Sequence, residues 1–169
     1  MEVTLIGMGP GGAASLTRAA VEALERADCL IGSRRLLEEC TLAQEAPRFP
    51  ATKSADMLDL LSSQDWLRPC VLYSGDTGFH SGARALLPLL RERGISARVV
   101  PGISSLQYFA AQLGRPWQEW AIVSAHGLTC DPVGEILAAR GRPVFFLTGG
   151  TAGAGALCQR LAQAGLGHL

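Results

Sequence analysis

Three glycine-rich turns carry the residues in this sequence that are best suited to hold a small ligand. They occupy residues 7–12, 74–78 and 101–105. Glycine lets the main chain approach a ligand closely, and the turns add a carboxylate at Asp76 and hydroxyls at Ser104 and Ser105. These groups can bind the hydroxyls and charges of a small polar molecule.

The first turn, Gly7-Met8-Gly9-Pro10-Gly11-Gly12, fits the GxGxxG pattern of dinucleotide-binding proteins. That interpretation needs an acidic residue at the end of the second strand, where it would bind a ribose. The predicted strand ends at Gly32-Ser33 instead, and the nearest acid, Asp28, precedes it. Pro10 also removes a main-chain donor from the loop. A dinucleotide-binding oxidoreductase stays open as an alternative function, as does a glycine turn that serves only packing.

The other polar candidates also have two interpretations each. Asp76 could accept hydrogen bonds from a ribose, or it could cap the helix that follows. Ser104 and Ser105 fit both a helix N-cap and a ligand contact. Arg34 and Arg35 could bind substrate carboxylates or lie on a solvated helix face. His126 follows a predicted strand, where it could transfer a proton or serve as an ordinary loop residue.

Short apolar segments that alternate with helical ones must position these turns. Strands are predicted over residues 3–6, 29–32, 70–73, 97–100, 119–124 and 143–147, and the first helix over 15–25. This alternation predicts a mainly parallel α/β architecture. Ligands of such sheets bind beyond the carboxyl ends of the strands, where all three turns fall. We place a boundary between two lobes, residues 1–101 and 102–169.

Composition excludes several classes of protein. The 169 residues are 48% hydrophobic, which suits a buried core, and 15 basic residues balance 15 acidic ones. This balance argues against a nucleic-acid partner or a membrane surface. An apolar run long enough to span a membrane and a signal-peptide pattern are both missing, so we expect a cytoplasmic protein. Five scattered cysteines without a CxxC pair predict no metal site.

Taken together, the turns resemble those of the tetrapyrrole methylases, a family that uses S-adenosylmethionine. The matching segments are Val3-Thr4-Leu5-Ile6-Gly7-Met8-Gly9-Pro10-Gly11, Ser74-Gly75-Asp76-Thr77-Gly78-Phe79 and Val99-Val100-Pro101-Gly102-Ile103-Ser104-Ser105. Within the family, Ile31-Gly32-Ser33-Arg34-Arg35-Leu36-Leu37, Thr77 and Ser124-Ala125-His126-Gly127 are most similar to members that methylate carbon 5 of a precorrin-7 or cobalt-precorrin-7-type tetrapyrrole. The resemblance therefore implies a C-methyltransferase of cobalamin biosynthesis.

The resemblance also implies a fold and a set of site residues. The family has two α/β lobes with the cofactor in the cleft between them, and usually forms a homodimer. Because the family continues beyond the last helix, the smaller C-terminal lobe is expected to be incomplete at Leu169. The implied cofactor contacts are Pro10, Gly75, Asp76, Phe79, Ser104, Ser105 and Leu147, and the implied substrate contacts are Gly9, Gly11 and Gly12.

Further roles follow from the chemistry that this resemblance implies. Arg34 and Arg35 are candidates for the carboxylates of the tetrapyrrole. His126 is the candidate base for a proton lost after methylation. A subunit that methylates and decarboxylates at carbon 15 is a possible functional partner. A remnant without activity that only binds a partner protein is a further alternative.

Overall fold

The computed structural model describes residues 1–125, 130–149 and 153–168, in which strands and helices alternate as predicted. The strands are β1 (Glu2–Gly7), β2 (Cys29–Gly32), β3 (Arg48–Pro50), β4 (Pro69–Tyr73), β5 (Ser96–Val100), β6 (Ala121–Ser124) and β7 (Val144–Leu147). The helices are α1 (Arg18–Glu25), α2 (Arg34–Glu39), α3 (Ser54–Ser62), α4 (Ala83–Glu92), α5 (Ser105–Gln112), α6 (Pro132–Ala138) and α7 (Gly153–Gln163).

The chain divides into two compact units, Met1–Tyr108 and Phe109–Leu169. In the first unit, β1 to β5 form a parallel sheet in the order β3-β2-β4-β1-β5. In the second unit, β6 and β7 pair in parallel. These sheets confirm the predicted α/β class. The lobe boundary between residues 101 and 102 stays a prediction.

The first unit has a core on each face of its sheet, because alternate side chains of a strand point to opposite faces. Val3 and Leu5 of β1 pack on one face with residues of α3 and α4. Ile6 packs on the other face with residues of α1 and α2. The sheet is therefore covered by helices on both faces, as its continuously buried strands require.

Helix α1 begins later than its composition predicts. Residues 15–25 have helical composition, but the helix starts at Arg18, after a short 3₁₀ turn at Ala13–Ser15. The Thr17 hydroxyl accepts a hydrogen bond from the Ala20 N–H at 3.2 Å and so caps the first turn of the helix. The cap requires extended backbone at Thr17, which separates the glycine turn from the helix.

Burial protects two thiols in the core of the first unit. Cys29 and Cys70 are at most 1% exposed. Burial raises the pKa of each thiol, and the nearby negative charge of Asp28 raises it further, from 9.0 to about 12. Since the thiolate is the reactive form, we expect iodoacetamide at pH 8 to modify the exposed Cys158 while both core thiols react only in denaturant. Mass spectrometry of timed samples measures this order. Equal rates for Cys29 and Cys158 would contradict the buried environment.

Two kinds of feature are missing from the part of the chain that the structure describes. Within residues 1–125, 130–149 and 153–168, no helix combines the length and apolar character needed to cross a membrane. Over the same ranges, no three or more His, Cys, Asp or Glu side chains form a group that could hold a metal ion.

Candidate functional site

The three glycine-rich turns begin side by side at the carboxyl edge of the first unit's sheet. Gly7 at the end of β1 is level with Tyr73 at the end of β4, and Ile6 is level with Val100 at the end of β5. The strands are parallel and adjacent, so their following turns emerge at the same edge. The sheet therefore brings together segments that lie far apart in the sequence.

The first and second turns are joined by main-chain hydrogen bonds. The Gly9 N–H donates to the Gly75 carbonyl, and the Gly75 N–H donates to the Gly9 carbonyl, both at 3.0 Å. The Met8 N–H also donates to the Tyr73 carbonyl at 2.8 Å. Gly9 and Gly75 both have positive φ, 71° and 67°, which favours glycine at these positions. The two turns thus form one continuous surface.

The first, second and third turns meet at a junction of three glycines, Gly7, Gly75 and Gly102. A Cβ on Gly102 would lie 2.5 Å from the Gly7 carbonyl oxygen and would also clash with the Gly75 carbonyl oxygen. A Cβ on Gly7 would lie 2.6 Å from the Gly102 nitrogen. These neighbours are main-chain atoms that cannot rotate away. The junction therefore depends on the absence of side chains.

Asp76 holds the second and third turns together. Its Oδ1 accepts a hydrogen bond from the Gly102 N–H at 3.1 Å, and its Oδ2 accepts one from the Gly78 N–H at 3.0 Å. The helix that follows, α4, receives its side-chain contact from Ser81, whose Oγ accepts from the Ala83 N–H at 3.2 Å. Asp76 therefore fixes the turns rather than capping α4, and each carboxylate oxygen still has a lone pair for a ligand.

The third turn leads into α5 through a reciprocal cap. The Ser104 Oγ accepts from the Gln107 N–H at 3.1 Å, while the Gln107 Oε1 accepts from the Ser104 N–H at 2.9 Å. Ser104 is 4% exposed, and Ser105 is half-buried as the first residue of α5. A Cβ on Gly75 would lie 3.9 Å from the Ser104 Cα. The hydroxyl of Ser104 thus caps a helix beside the second turn.

Pro10 lies in the first turn, and Phe79 directly follows the second turn. Pro10 is exposed directly after Gly9. Phe79 is half-buried, and its ring meets the His80 ring edge-on with centroids 5.0 Å apart. His80 has a φ of 47°, a conformation that few non-glycine residues adopt. The second turn is therefore followed by an aromatic pair, of which His80 has the constrained backbone.

A small cleft lies beside the first turn. Its lining includes Gly9, Gly11, Gly12 and Arg35. Arg34 lies outside it and lines a separate hollow with Arg48. The structure therefore brings one of the two predicted arginines to the glycine turn, because adjacent residues of a helix point in directions about 100° apart.

Two predicted site residues belong to the second unit. Leu147 ends β7, and its carbonyl accepts a hydrogen bond from the Ala125 N–H at 2.8 Å. His126, the predicted base, lies outside the described residues. The roles of both residues stay predictions.

The first turn lacks the geometry of a dinucleotide-binding loop. In that motif the glycine loop opens directly into a helix, whose N-terminus binds the pyrophosphate. Here α1 begins six positions after Gly12, and the Thr17 side chain caps it. At the end of β2, the Ser33 hydroxyl caps α2 by accepting from the Leu36 N–H at 3.4 Å. The start of α1 and the end of β2 therefore lack the pyrophosphate and ribose contacts that a dinucleotide-binding oxidoreductase requires.

Three residues that organise this region were not among the individual site residues predicted from the sequence. Gly102 forms the glycine junction, and Ser74 and Glu39 both bind Arg35. Glu39 follows Arg35 by four positions, a spacing that pairs opposite charges on one helix face. That spacing could have identified Glu39. The Ser74 and Gly102 contacts depend on the tertiary fold.

Comparisons with known proteins give consistent matches. The tetrapyrrole (corrin/porphyrin) methylase profile matches residues 2–168. A cobalt-precorrin-7 C(5)-methyltransferase of Salmonella typhimurium is 35% identical over 174 residues, 98% of this chain and 80% of that protein. A probable cobalt-precorrin-7 C(5)-methyltransferase of Methanocaldococcus jannaschii is 30% identical over 130 residues, 74% of this chain and 60% of that protein. The crystal structure of a precorrin-6Y methylase from Archaeoglobus fulgidus has a TM-score of 0.65 at 25% identity, covering 87% of this chain and 73% of that one.

Proposed function

Because the chain belongs to the tetrapyrrole (corrin/porphyrin) methylases, we propose that it methylates carbon 5 of a precorrin-7 or cobalt-precorrin-7-type tetrapyrrole with S-adenosylmethionine. The observation that carries the proposal is the meeting of three turns at one sheet edge, joined through Gly7, Gly75 and Gly102. The names of the Salmonella and Methanocaldococcus relatives support the choice of carbon 5. These matches give no support to the oxidoreductase alternative.

The residues at this edge fit S-adenosylmethionine, whose use is general in the family. The glycine junction leaves the main chain without covering side chains. Asp76 and the Ser104 hydroxyl add polar groups suited to ribose and amino-acid moieties. We propose that Pro10, Gly75, Asp76, Phe79, Ser104 and Ser105 hold the cofactor. When bound, S-adenosylmethionine supplies a methyl group that its sulfonium already activates.

The protein's main contribution to this reaction is orientation. Methyl transfer from an activated donor to an electron-rich ring carbon needs no nucleophilic side chain, so the residues must align the reacting atoms. Correct alignment lowers a barrier by about 7–11 kcal/mol in favourable systems. We propose that the cleft at Gly9, Gly11 and Gly12 receives the tetrapyrrole and that Arg35 binds one of its carboxylates.

A base must accept the proton if the methylated ring carbon loses one. We propose His126 for this role, since a neutral imidazole is a suitable acceptor near pH 7.

A homodimer and a partner that acts at carbon 15 also remain proposals. The support for the homodimer is exposed apolar surface in the first unit. Val99 of the edge strand β5 is 44% exposed, and Tyr108 of α5 is 47% exposed.

The test of the proposed function is methyl transfer by the purified protein. Incubation with the cobalt-precorrin-7-type substrate and methyl-labelled S-adenosylmethionine is expected to give one labelled methyl group, which NMR then assigns to carbon 5. Calorimetry is expected to show binding of S-adenosylmethionine and no binding of NAD. Transfer to another carbon would overturn the regiochemistry, and binding of NAD alone would favour the oxidoreductase alternative.

A further inference from the structure

Arg35 is held from two sides at the glycine cleft. Its Nη1 donates to both carboxylate oxygens of Glu39, at 3.0 and 2.8 Å. Its Nη2 donates to the Ser74 Oγ at 3.3 Å. Glu39 is the last residue of α2, and Ser74 directly follows β4. The guanidinium therefore connects α2 to the turn that carries Gly75 and Asp76.

The Arg35 guanidinium lies where it can bind an anionic ligand. Arg35 and Glu39 line the same cleft as Gly11 and Gly12, where an added Cβ would find no heavy atom within 4 Å. A ligand can thus approach the main chain there without displacing a side chain. A guanidinium has five N–H donors in a fixed plane, so its contacts with Glu39 and Ser74 leave donors for a carboxylate.

We propose that Glu39 and Ser74 are positioning residues that hold the Arg35 guanidinium ready for a carboxylate of the tetrapyrrole substrate. This inference rests on the proposed function. An arginine side chain loses about 2 kcal/mol of rotamer entropy when it is fixed, and a side chain that is already held loses less when substrate binds. Glu39 and Ser74 therefore act through Arg35 and strengthen substrate binding.

The opposing effect is repulsion between the Glu39 carboxylate and an anionic substrate. Arg35 is 57% exposed and Glu39 is 46% exposed, so water weakens both their ion pair and the repulsion of the substrate by Glu39. Its two hydrogen bonds act directly on the Arg35 group that binds the substrate. We therefore expect positioning to outweigh repulsion, and the sign of the change in KM distinguishes the two effects.

The chain contains a matched control pair on α1. Arg18 and Glu22 have the same four-residue spacing, with Nε to Oε1 at 3.0 Å, and both are exposed. Neither residue lines the glycine cleft. Replacing Glu22 with alanine removes an equivalent surface ion pair without touching the proposed site.

The experiment measures kcat and KM for methyl transfer in Glu39→Ala, Glu39→Gln, Ser74→Ala, Glu22→Ala, Arg35→Ala and the double variant Arg35→Ala/Glu39→Ala. For Glu39→Ala we expect the tetrapyrrole KM to rise about twofold, the scale of an exposed ion pair between residues four positions apart on a helix, with kcat and the Kd of S-adenosylmethionine unchanged. Glu39→Gln keeps an acceptor and should recover part of the loss. Glu22→Ala should match the wild type, and the double variant should match Arg35→Ala.

The outcomes separate this inference from the proposed function. A lower KM in Glu39→Ala would show that repulsion dominates, and an additive double variant would show that Glu39 acts independently of Arg35. Either result overturns the positioning role while methyl transfer stands. If wild-type protein transfers no methyl group, the proposed function fails and the inference fails with it.

Discussion

Replacement of Gly102 with alanine is expected to destabilise the protein and to weaken S-adenosylmethionine binding together. The new Cβ would lie 2.5 Å from the Gly7 carbonyl oxygen and would also strike the Gly75 carbonyl oxygen. Relief requires movement of at least one turn, and overpacking of this kind costs about 1–3 kcal/mol of unfolding free energy. Urea unfolding measures that loss, and calorimetry of the folded variant measures affinity, which we expect to fall at least about tenfold, or about 1.4 kcal/mol.

Two other glycines supply graded controls for Gly102→Ala. At Gly75 the φ of 67° strains an alanine, but its Cβ would meet its nearest neighbour at 3.9 Å, an ordinary contact. Gly75→Ala should therefore show the cost of backbone strain without a clash. Gly155 lies in α7, where an added Cβ would meet no heavy atom within 4 Å, so alanine there should raise stability by up to about 1 kcal/mol. Wild-type stability and affinity in Gly102→Ala would refute the close junction.

The sequence was sufficient to predict four of the five strands of the first unit's sheet and the meeting of its turns, but not the edge strand β3. Buried apolar runs such as 70–73 identify parallel strands, and parallel strands place their following turns at one edge. The start of α1 was mispredicted because helical composition continues through residues 15–17, while the Thr17 cap acts only once its backbone is extended.

The missed contacts in the site have a common physical cause. Asp76 and Gly102 are 26 positions apart, and Arg35 and Ser74 are 39 apart. Local spacing cannot predict which polar groups at one sheet edge come within hydrogen-bond distance, because loop conformation decides it. The separation of Arg34 from Arg35 is different, since helical geometry alone turns neighbouring side chains apart.

Asp76 provides the second large expected effect, because its carboxylate contacts both turns that we propose to hold the cofactor. Replacement with asparagine leaves one acceptor oxygen for the Gly102 and Gly78 N–H donors, and replacement with alanine leaves none. Hydrogen bonds to a charged group contribute about 1.5–3 kcal/mol. We expect the Kd of S-adenosylmethionine to rise about tenfold or more in Asp76→Ala and less in Asp76→Asn, as measured by calorimetry.

Asp28 is the matched control, since it forms the same kind of clamp at the amino end of the strands. Its carboxylate accepts from the Leu67 N–H at 2.6 Å and from the Arg68 N–H at 3.0 and 3.1 Å. Asp28→Asn should therefore lower the midpoint of urea unfolding as Asp76→Asn does, while cofactor affinity stays at the wild-type value. Equal losses of affinity in the two variants would mean that Asp76 acts only through global stability. An unchanged affinity in Asp76→Ala would remove Asp76 from the site, because a carboxylate that joins the second turn to the third cannot be lost without disturbing a ligand held by both.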